Sequence, residues 1–233
     1  MEKNVKKVLV FGSSGMIGHK VFQVLSDNSD LVLFNASRSK LNENTEFVDF
    51  REHDQIIDII KKVKPDVVVN AAGILIEHSK DNPLEAVALN SMLPLILNVL
   101  SETYKFKLIQ ISTDCVFSGD EGPYEVSDIA DSKTIYGRTK ALGEFVNPSN
   151  LVIRTSVIGP DLKPSGKELF NWFMNQTNSV KGFSKSVWSG VTTLELAKCI
   201  EYCVLNNIEG KHHLTSKNSI TKYNLLKILN GYL

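Results

Sequence analysis

Three regularly spaced glycines near the start of the chain are the feature that most constrains its fold. Gly12, Gly15 and Gly18 form the pattern G-x-x-G-x-x-G between an apolar run at 8–11 and an amphipathic stretch at 16–25. Glycine permits a tight turn and a close approach of backbone, and the N-terminus of the following helix offers free N–H groups to an anion. The spacing has one residue more than the common G-x-G-x-x-G pattern. It predicts a strand, loop and helix that hold the pyrophosphate of a dinucleotide.

The rest of the first two-thirds of the chain alternates short apolar runs with longer amphipathic ones. The strand-like runs lie at 8–11, 31–34, 67–70, 106–111 and 151–155, and the helix-like stretches at 16–25, 55–62, 83–104 and 135–146. Such alternation predicts βαβ units. The predicted fold class is therefore α/β, with a Rossmann-type, doubly wound, mainly parallel sheet.

The alternation of short apolar and longer amphipathic runs changes after residue 155. Loop-forming Gly and Pro residues come first, followed by predicted helices at 167–176, 192–205 and 221–229 and an extended piece at 211–215. We therefore predict two domains. Residues 1–155 would be the NAD(P)-binding Rossmann domain, and residues 156–233 a small, apparently shortened C-terminal lobe that binds substrate.

Composition excludes several classes of protein. The chain has 26 Lys and Arg against 26 Asp and Glu, so its zero net charge gives no electrostatic argument for nucleic acid or a membrane surface as partner. Its apolar runs are too short for a signal peptide or a bilayer span. Three cysteines make a poor disulfide framework and indicate a reducing compartment. Cys199 and Cys203 lack further ligands for a metal. We expect a cytoplasmic protein without a metal, and a homodimer is one oligomeric state left open.

The end of the second predicted strand bears on the choice of dinucleotide. An acidic residue there would accept a hydrogen bond from the ribose 2′-hydroxyl of NAD. The segment 34–40 contains no carboxylate, but Arg38, with Ser37 or Ser39, is suited to a 2′-phosphate. This favours NADP(H), with NAD(H) as the alternative. Arg38 as an ordinary solvated loop charge is the competing interpretation.

A tyrosine and a lysine four residues apart suggest acid–base chemistry. Tyr136 and Lys140 form Y-x-x-x-K on a predicted helix, where this spacing places both on one face. A free tyrosine has a pKa of about 10, and an adjacent ammonium is expected to lower it. Thr113 follows the strand at 106–111 and could hydrogen-bond a substrate carbonyl. The competing interpretations are a surface pair for Tyr136 and Lys140, and turn or capping chemistry for Thr113.

Several motifs occur together in one order along the chain. They are the glycine loop, Asn70-Ala71-Ala72-Gly73, Ser112-Thr113-Asp114-Cys115-Val116-Phe117-Ser118-Gly119, Tyr136-Gly137-Arg138-Thr139-Lys140-Ala141-Leu142-Gly143-Glu144 and Ile153-Arg154-Thr155-Ser156. Residues 5–215 thereby resemble the extended short-chain dehydrogenase/reductase superfamily, in particular its dTDP-4-dehydrorhamnose reductase-like branch. The resemblance implies a catalytic set of Thr113, Tyr136 and Lys140. The cofactor-binding residues that we expect are Gly12, Ser14, Gly15, Met16, Ile17, Gly18, Arg38, Asn70, Ala71, Ala72, Gly73, Tyr136 and Lys140.

The same resemblance implies a reaction. Dehydratases of the superfamily carry Thr-Asp-Glu, whereas this chain has Cys115 at the third position, which removes the base for elimination. Carbonyl reduction remains, and the expected reaction is NADPH-dependent reduction of a nucleotide-linked 4-keto-6-deoxy sugar at C4, with Tyr136 as proton donor. The alternatives are a UDP-linked 4-keto-6-deoxy-N-acetyl sugar as substrate and a non-catalytic, dinucleotide-bound regulatory subunit.

Overall fold

A seven-stranded parallel sheet organises the part of the chain that the computed structural model describes, residues 5–163 and 168–231. The strands are β1 (Lys6–Phe11), β2 (Leu31–Ser37), β3 (Thr45–Phe47), β4 (Val67–Asn70), β5 (Lys107–Thr113), β6 (Leu151–Thr155), β7 (Val157–Ile158), β8 (Val187–Trp188), β9 (Val191–Thr192), β10 (Gly210–Leu214) and β11 (Ile220–Thr221). The order across the main sheet is β10-β6-β5-β4-β1-β2-β3, and every neighbouring pair is parallel. The predicted Rossmann-like α/β fold is confirmed.

Helices cover both faces of this sheet. They are α1 (Met16–Ser26), α2 (His53–Val63), α3 (Ile76–Asp81), α4 (Pro83–Ala86), α5 (Leu93–Tyr104), α6 (Ile135–Leu142), α7 (Leu169–Met174), α8 (Thr193–Asn206) and α9 (Lys222–Asn230). Successive residues of a strand point to opposite faces. Leu9 and Phe11 of β1 therefore pack in the core formed with α2 and α5, whereas Val8 and Val10 pack in the core formed with α1 and α8.

The sheet crosses the domain boundary predicted at residue 155. β10 pairs with β6 as the edge strand of the main sheet, and Thr155 Oγ1 donates to the Leu214 carbonyl at 2.8 Å. Helix α8 buries Leu196 and Ile200 against the same sheet. β10 and α8, which the prediction places in the lobe, thus join and cover the main sheet, so the lobe is continuous with the sheet on this side.

Two small sheets and two helices remain for the lobe. β7 pairs with β9 in parallel and β8 with β11 in antiparallel orientation, and all four strands follow β6 in the chain. The helix predicted at 167–176 is observed as α7, and its predicted first residue, Lys167, lies outside the described residues.

The stretch Pro83–Tyr104 is an exception to the expectation that no segment could span a bilayer. It is 22 residues long, and by length and composition alone it could cross a membrane. Half of an 18-residue apolar segment within it is buried, with Leu89, Leu93 and Leu97 in the core, so its apolar character is explained by packing. Its middle, Val87–Met92, widens into a π-helical turn, a feature frequently found at functional sites.

Candidate active site

The crevice between β1 and β4 is the place where the sheet reverses its winding, and ligands of open α/β sheets bind at this point. The loop after β1 carries the three glycines. Gly12 has a φ of +74°, and a Cβ there would lie 2.7 Å from the Ala72 Cα. A Cβ on Gly18 would collide with the carbonyl of Gly12. The two loops at the crevice therefore pack so closely that only glycine fits.

Helix α1 begins directly behind this loop. Gly15 is its N-cap, and in the described structure neither a side-chain cap nor an acidic residue occupies the first turn. The first backbone N–H groups thus remain available to an anion, and the helix dipole favours one. Ser14 and Ile17 are half-buried and Met16 is buried along the same turn. These features fit the pyrophosphate of a dinucleotide.

Arg38 follows β2 at the edge of the crevice. Its Nη1 donates to Glu85 Oε1 at 2.9 Å, and Glu85 Oε2 also contacts His78 Nε2 at 2.7 Å. The Arg38 side chain is 43% exposed, and no other hydrogen bond from its guanidinium is found within the described ranges. Arg38 therefore keeps free donors that can meet a 2′-phosphate.

The loop after β4 forms the other wall of the crevice. Asn70 is fully buried, donates to Gln110 Oε1 at 2.7 Å and accepts from the Ala72 N–H at 3.2 Å. Its amide thereby fixes the turn that contains Ala71 and Ala72. A Cβ on Gly73 would lie 2.8 Å from Asn90 Oδ1.

Asn90 is a residue that the sequence analysis missed. It lies in the π-helical turn, accepts from the Ile74 N–H at 3.0 Å and donates to the Ile74 carbonyl at 3.0 Å. It also donates to Thr139 Oγ1 on α6 at 3.3 Å. Asn90 therefore links the crevice wall to the helix of Tyr136 and Lys140. The signal available in the sequence was an Asn within a mostly apolar helical run.

The structure brings Thr113, Tyr136 and Lys140 together at the carboxyl end of β5. Thr113 is the last residue of β5; its hydroxyl accepts from the Cys115 N–H and donates to Asp114 Oδ1, both at 3.1 Å. Tyr136 and Lys140 lie on α6 and are both buried. Lys140 Nζ donates to the Ile111 carbonyl at 2.6 Å.

The electrostatics of this group differ from the expectation. Burial, followed by the nearby Cys115, raises the pKa of the Tyr136 phenol well above its ordinary value, and an interaction with the Thr113 hydroxyl only partly opposes this rise. The net pKa of Tyr136 thus lies above that of free tyrosine instead of below it as expected, because burial is the largest effect on the phenol. Burial also lowers the pKa of Lys140 to about 8, with Glu144 acting in the opposite direction. The site thus holds a firmly protonated phenol.

The residue beside the phenol is not a base. Burial, and then the charge of Asp114, raise the pKa of the Cys115 thiol to about 11. A thiol with such a pKa is protonated at neutral pH. The remaining cysteines, Cys199 and Cys203, lie on α8, and the described residues contain no group of three or more His, Cys, Asp or Glu that could hold a metal ion.

Comparison with known proteins agrees with this geometry. The family model described as the RmlD substrate binding domain matches residues 6–230. The chain is 27% identical over 156 residues to a dTDP-4-dehydrorhamnose reductase of Aggregatibacter actinomycetemcomitans, covering 64% of this chain and 51% of that relative. It is 22% identical over 241 residues to the methionine adenosyltransferase 2 subunit beta of Xenopus tropicalis, covering 94% of this chain and 70% of that one.

A solved structure shows the same fold. The dTDP-4-dehydrorhamnose reductase of Bacillus anthracis in complex with NADP superposes with a TM-score of 0.85 at 18% identity, covering 98% of this chain and 81% of that one. The match to the Aggregatibacter reductase spans about half of that relative's length. The family match over residues 6–230 carries the assignment. This chain therefore belongs to the RmlD substrate-binding family, in the dTDP-4-dehydrorhamnose reductase-like branch of the extended short-chain dehydrogenase/reductases.

Proposed function

We propose that this chain reduces a nucleotide-linked 4-keto-6-deoxy sugar at C4 with NADPH. The observation that carries the proposal is the meeting of Thr113, Tyr136 and Lys140 at the carboxyl end of β5, next to the glycine-lined crevice. The Aggregatibacter and Bacillus relatives, both named dTDP-4-dehydrorhamnose reductases, support the same reaction class. The proposal includes a cytoplasmic location, and a homodimer remains one candidate assembly.

The dinucleotide would be held along the crevice by residues from both loops. The glycine loop and the first turn of α1 would receive the pyrophosphate, and Arg38 would meet the 2′-phosphate. Asn70, Ala71, Ala72 and Gly73 would line the channel, and Lys140 would reach the nicotinamide ribose. The bound cofactor supplies the hydride. Arg38 favours NADP(H), with NAD(H) as the alternative.

The chain's own residues supply the proton. The buried, protonated Tyr136 phenol can give its proton to the carbonyl oxygen as charge develops there. The Thr113 hydroxyl, which now donates to Asp114, can turn its hydrogen toward that oxygen. The Lys140 ammonium, charged below pH of about 8, stabilises the phenolate that remains. The protonated Cys115 thiol leaves no base at this position for elimination, which favours simple reduction.

A second candidate is a non-catalytic, dinucleotide-bound regulatory subunit. The observation in its favour is the similarity to a protein named as a subunit, over 94% of this chain. The complete Thr113, Tyr136 and Lys140 set supports the reductase instead. The two candidates differ in whether a keto sugar oxidises bound NADPH.

The test is a turnover assay. The purified chain is mixed with NADPH and dTDP- or UDP-linked 4-keto-6-deoxy sugars, including a UDP-linked N-acetyl sugar, and loss of cofactor absorbance is followed. Oxidation of NADPH by sugars linked to one nucleotide, dTDP or UDP, and not by those linked to the other supports the reductase and identifies its substrate. Binding of NADPH without oxidation of any sugar would overturn the reductase proposal in favour of the regulatory subunit. Assays without sugar control for slow oxidation of the cofactor.

A further inference from the structure

A buried carboxylate lies at the end of the helix that carries Tyr136 and Lys140. Glu144 is 5% exposed and accepts from Ser112 Oγ at 2.6 Å. Arg154 donates to it from Nε at 3.0 and 3.1 Å and from Nη2 at 2.8 Å. Lys211 Nζ adds a contact at 2.9 Å. The carboxylate therefore connects α6 with three adjacent strands, β5, β6 and β10.

The contacts keep this carboxylate charged. Burial acts to raise the pKa of Glu144, but the hydrogen bonds from Arg154, Ser112 and Lys211 together hold it below its ordinary value. Arg154 is itself 4% exposed, so neither charge of the pair can be satisfied by water. Glu144 is thus a permanent buried anion at neutral pH.

Glu144 and Lys140 are placed to act on each other. They are four residues apart, and the backbone N–H of Glu144 donates to the Ala141 carbonyl at 3.1 Å in the turn that directly follows the end of α6 at Leu142. The two side chains reach consecutive residues of β5, because Lys140 bonds the Ile111 carbonyl and Glu144 bonds Ser112. Lys140 is buried, so an ammonium there needs a nearby negative charge to remain protonated.

We propose that Glu144 is a positioning residue for the active site: its buried carboxylate keeps the Lys140 ammonium protonated and holds the end of β5, with Thr113, against α6. The role assigned to Lys140 rests on the proposed function. The charged groups in contact with Glu144 are Arg154 on β6 and Lys211 on β10, and His213 on β10 is close enough for Arg154 and Glu144 to act on its pKa. Tyr136 shares α6 with Lys140, and Asp114 and Cys115 lie on the turn after β5 and act on Tyr136.

The decisive test measures Lys140 directly and needs neither cofactor nor sugar. The protein is labelled with ¹³C at the lysine ε-carbons and titrated by NMR, with Lys140→Met identifying the resonance. The wild-type midpoint is expected near pH 8. Glu144→Gln should move it down by about one pH unit, because the ammonium loses its buried counter-charge. An unchanged midpoint in folded Glu144→Gln would overturn the inference.

Two variants separate charge from packing. Ser112→Ala removes a hydrogen bond to Glu144 without changing any charge, and should leave the Lys140 midpoint within a few tenths of a pH unit. Lys211→Met removes a cation from the same carboxylate at the partly exposed sheet edge and serves if Glu144→Gln does not fold. Its midpoint should stay at the wild-type value or rise, and a fall would contradict the proposal.

Turnover supplies a second readout. The alkaline limb of the kcat profile should move from about pH 8 in the wild type to about pH 7 in Glu144→Gln, with the KM for the sugar little changed. A purely structural role would lower kcat at every pH and leave the limb in place, and that result would overturn the inference. A wild-type chain that reduces no keto sugar would refute the proposed function, whereas the NMR midpoints still decide the role of Glu144.

Discussion

At the scale of single residues, the Tyr136 hydroxyl carries the strongest prediction. Tyr136→Phe removes the transferable proton but keeps the buried ring, so NADPH binding should persist while kcat falls by about 10²–10⁴-fold. Stopped-flow oxidation of NADPH and equilibrium binding by cofactor fluorescence measure the two effects. The matched control is Tyr202→Phe. Tyr202 lies on α8, outside the proposed site, and its side chain is 60% exposed. Wild-type turnover by Tyr136→Phe would refute the mechanism.

The buried ammonium of Lys140, a residue of the proposed site, should lower the free energy of unfolding. Its pKa is lowered from 10.5 to about 8 in the native state, so the unfolded chain binds more protons between these values and the free energy of unfolding rises with pH across that window. Below pH 8 the full cost of the buried charge is present. Lys140→Met should therefore stabilise the chain by about 3 kcal/mol at pH 7 and by little above pH of about 10.

Urea unfolding at several pH values checks this prediction. Lys61→Met provides the control, because Lys61 is exposed on α2. A gain in stability that does not depend on pH would indicate better packing of methionine instead of relief of a buried charge.

The sequence predicted that Tyr136 and Lys140 would lie close together, but it did not predict their electrostatics. The spacing of Tyr136 and Lys140 predicted a shared helix face, which α6 provides. It gave no information on burial, and burial is the largest cause of the pKa shifts of both residues. The partner of Lys140, the Ile111 carbonyl, also comes from a strand 29 residues away in the chain.

At the scale of elements, the loop between β1 and α1 should be intolerant of any side chain at its first glycine. Gly12→Ala faces a positive φ and the Ala72 backbone at 2.7 Å, so it should cost roughly 1–3 kcal/mol of stability and weaken NADPH binding at least about tenfold. Gly119→Ala is the matched control, since Gly119 has a φ of +84° and no atom within 4 Å of an added Cβ. Equal effects of the two variants would exclude the close approach as the cause.

The π-helical turn should couple the crevice wall to α6. Asn90→Ala leaves the Ile74 N–H without its side-chain acceptor and removes one of two side-chain donors to the Ile74 carbonyl, which keeps Ser79 Oγ, and should cost about 1–3 kcal/mol. It should also reduce kcat, because α6 loses a contact with the wall. Asn150→Ala removes the acceptor of the Leu108 N–H at the opposite end of the sheet, and should lower stability without lowering kcat. Melting temperatures and turnover, measured side by side, distinguish these outcomes.

Elements with a strong hydrophobic period were predicted, and those that depend on neighbours were not. The strands at 67–70 and 151–155 have the observed bounds. β3 and α3 went unpredicted, because three residues of β3 pair with the edge of β2 and only one residue of α3, Ser79, is buried. The π-helical turn was also not predicted, because it has no hydrophobic periodicity that distinguishes it from the α-helical residues on either side.

At the scale of the whole molecule, the main sheet includes residues from both ends of the described chain. The boundary at residue 155 was predicted because the alternation of apolar and amphipathic runs changes there. The small sheets and α7 come after this position in the chain. The order in which strands join a sheet, however, is a tertiary property. Lys6 Nζ donates to the Val204 carbonyl of α8 at 2.7 Å, 198 residues away, and no local pattern predicts such a contact.

This arrangement predicts that the two halves unfold together. Ile200 on α8 is fully buried in the core shared with Val8, Val10 and Leu25 of the opposite end of the chain. Ile200→Ala should therefore cost about 2–5 kcal/mol and shift one cooperative transition, rather than loosening a separate lobe. Leu205→Ala, on the same helix but 42% exposed, should change stability by less than about 1 kcal/mol.

A bound dinucleotide provides a second test of cooperative unfolding. A ligand in the β1–β4 crevice should raise the melting temperature measured by calorimetry for the whole chain. The transition followed by the fluorescence of Trp188, in the lobe, should rise with it. Two transitions, of which only the first responds to dinucleotide, would instead support independent folding of the residues after 155.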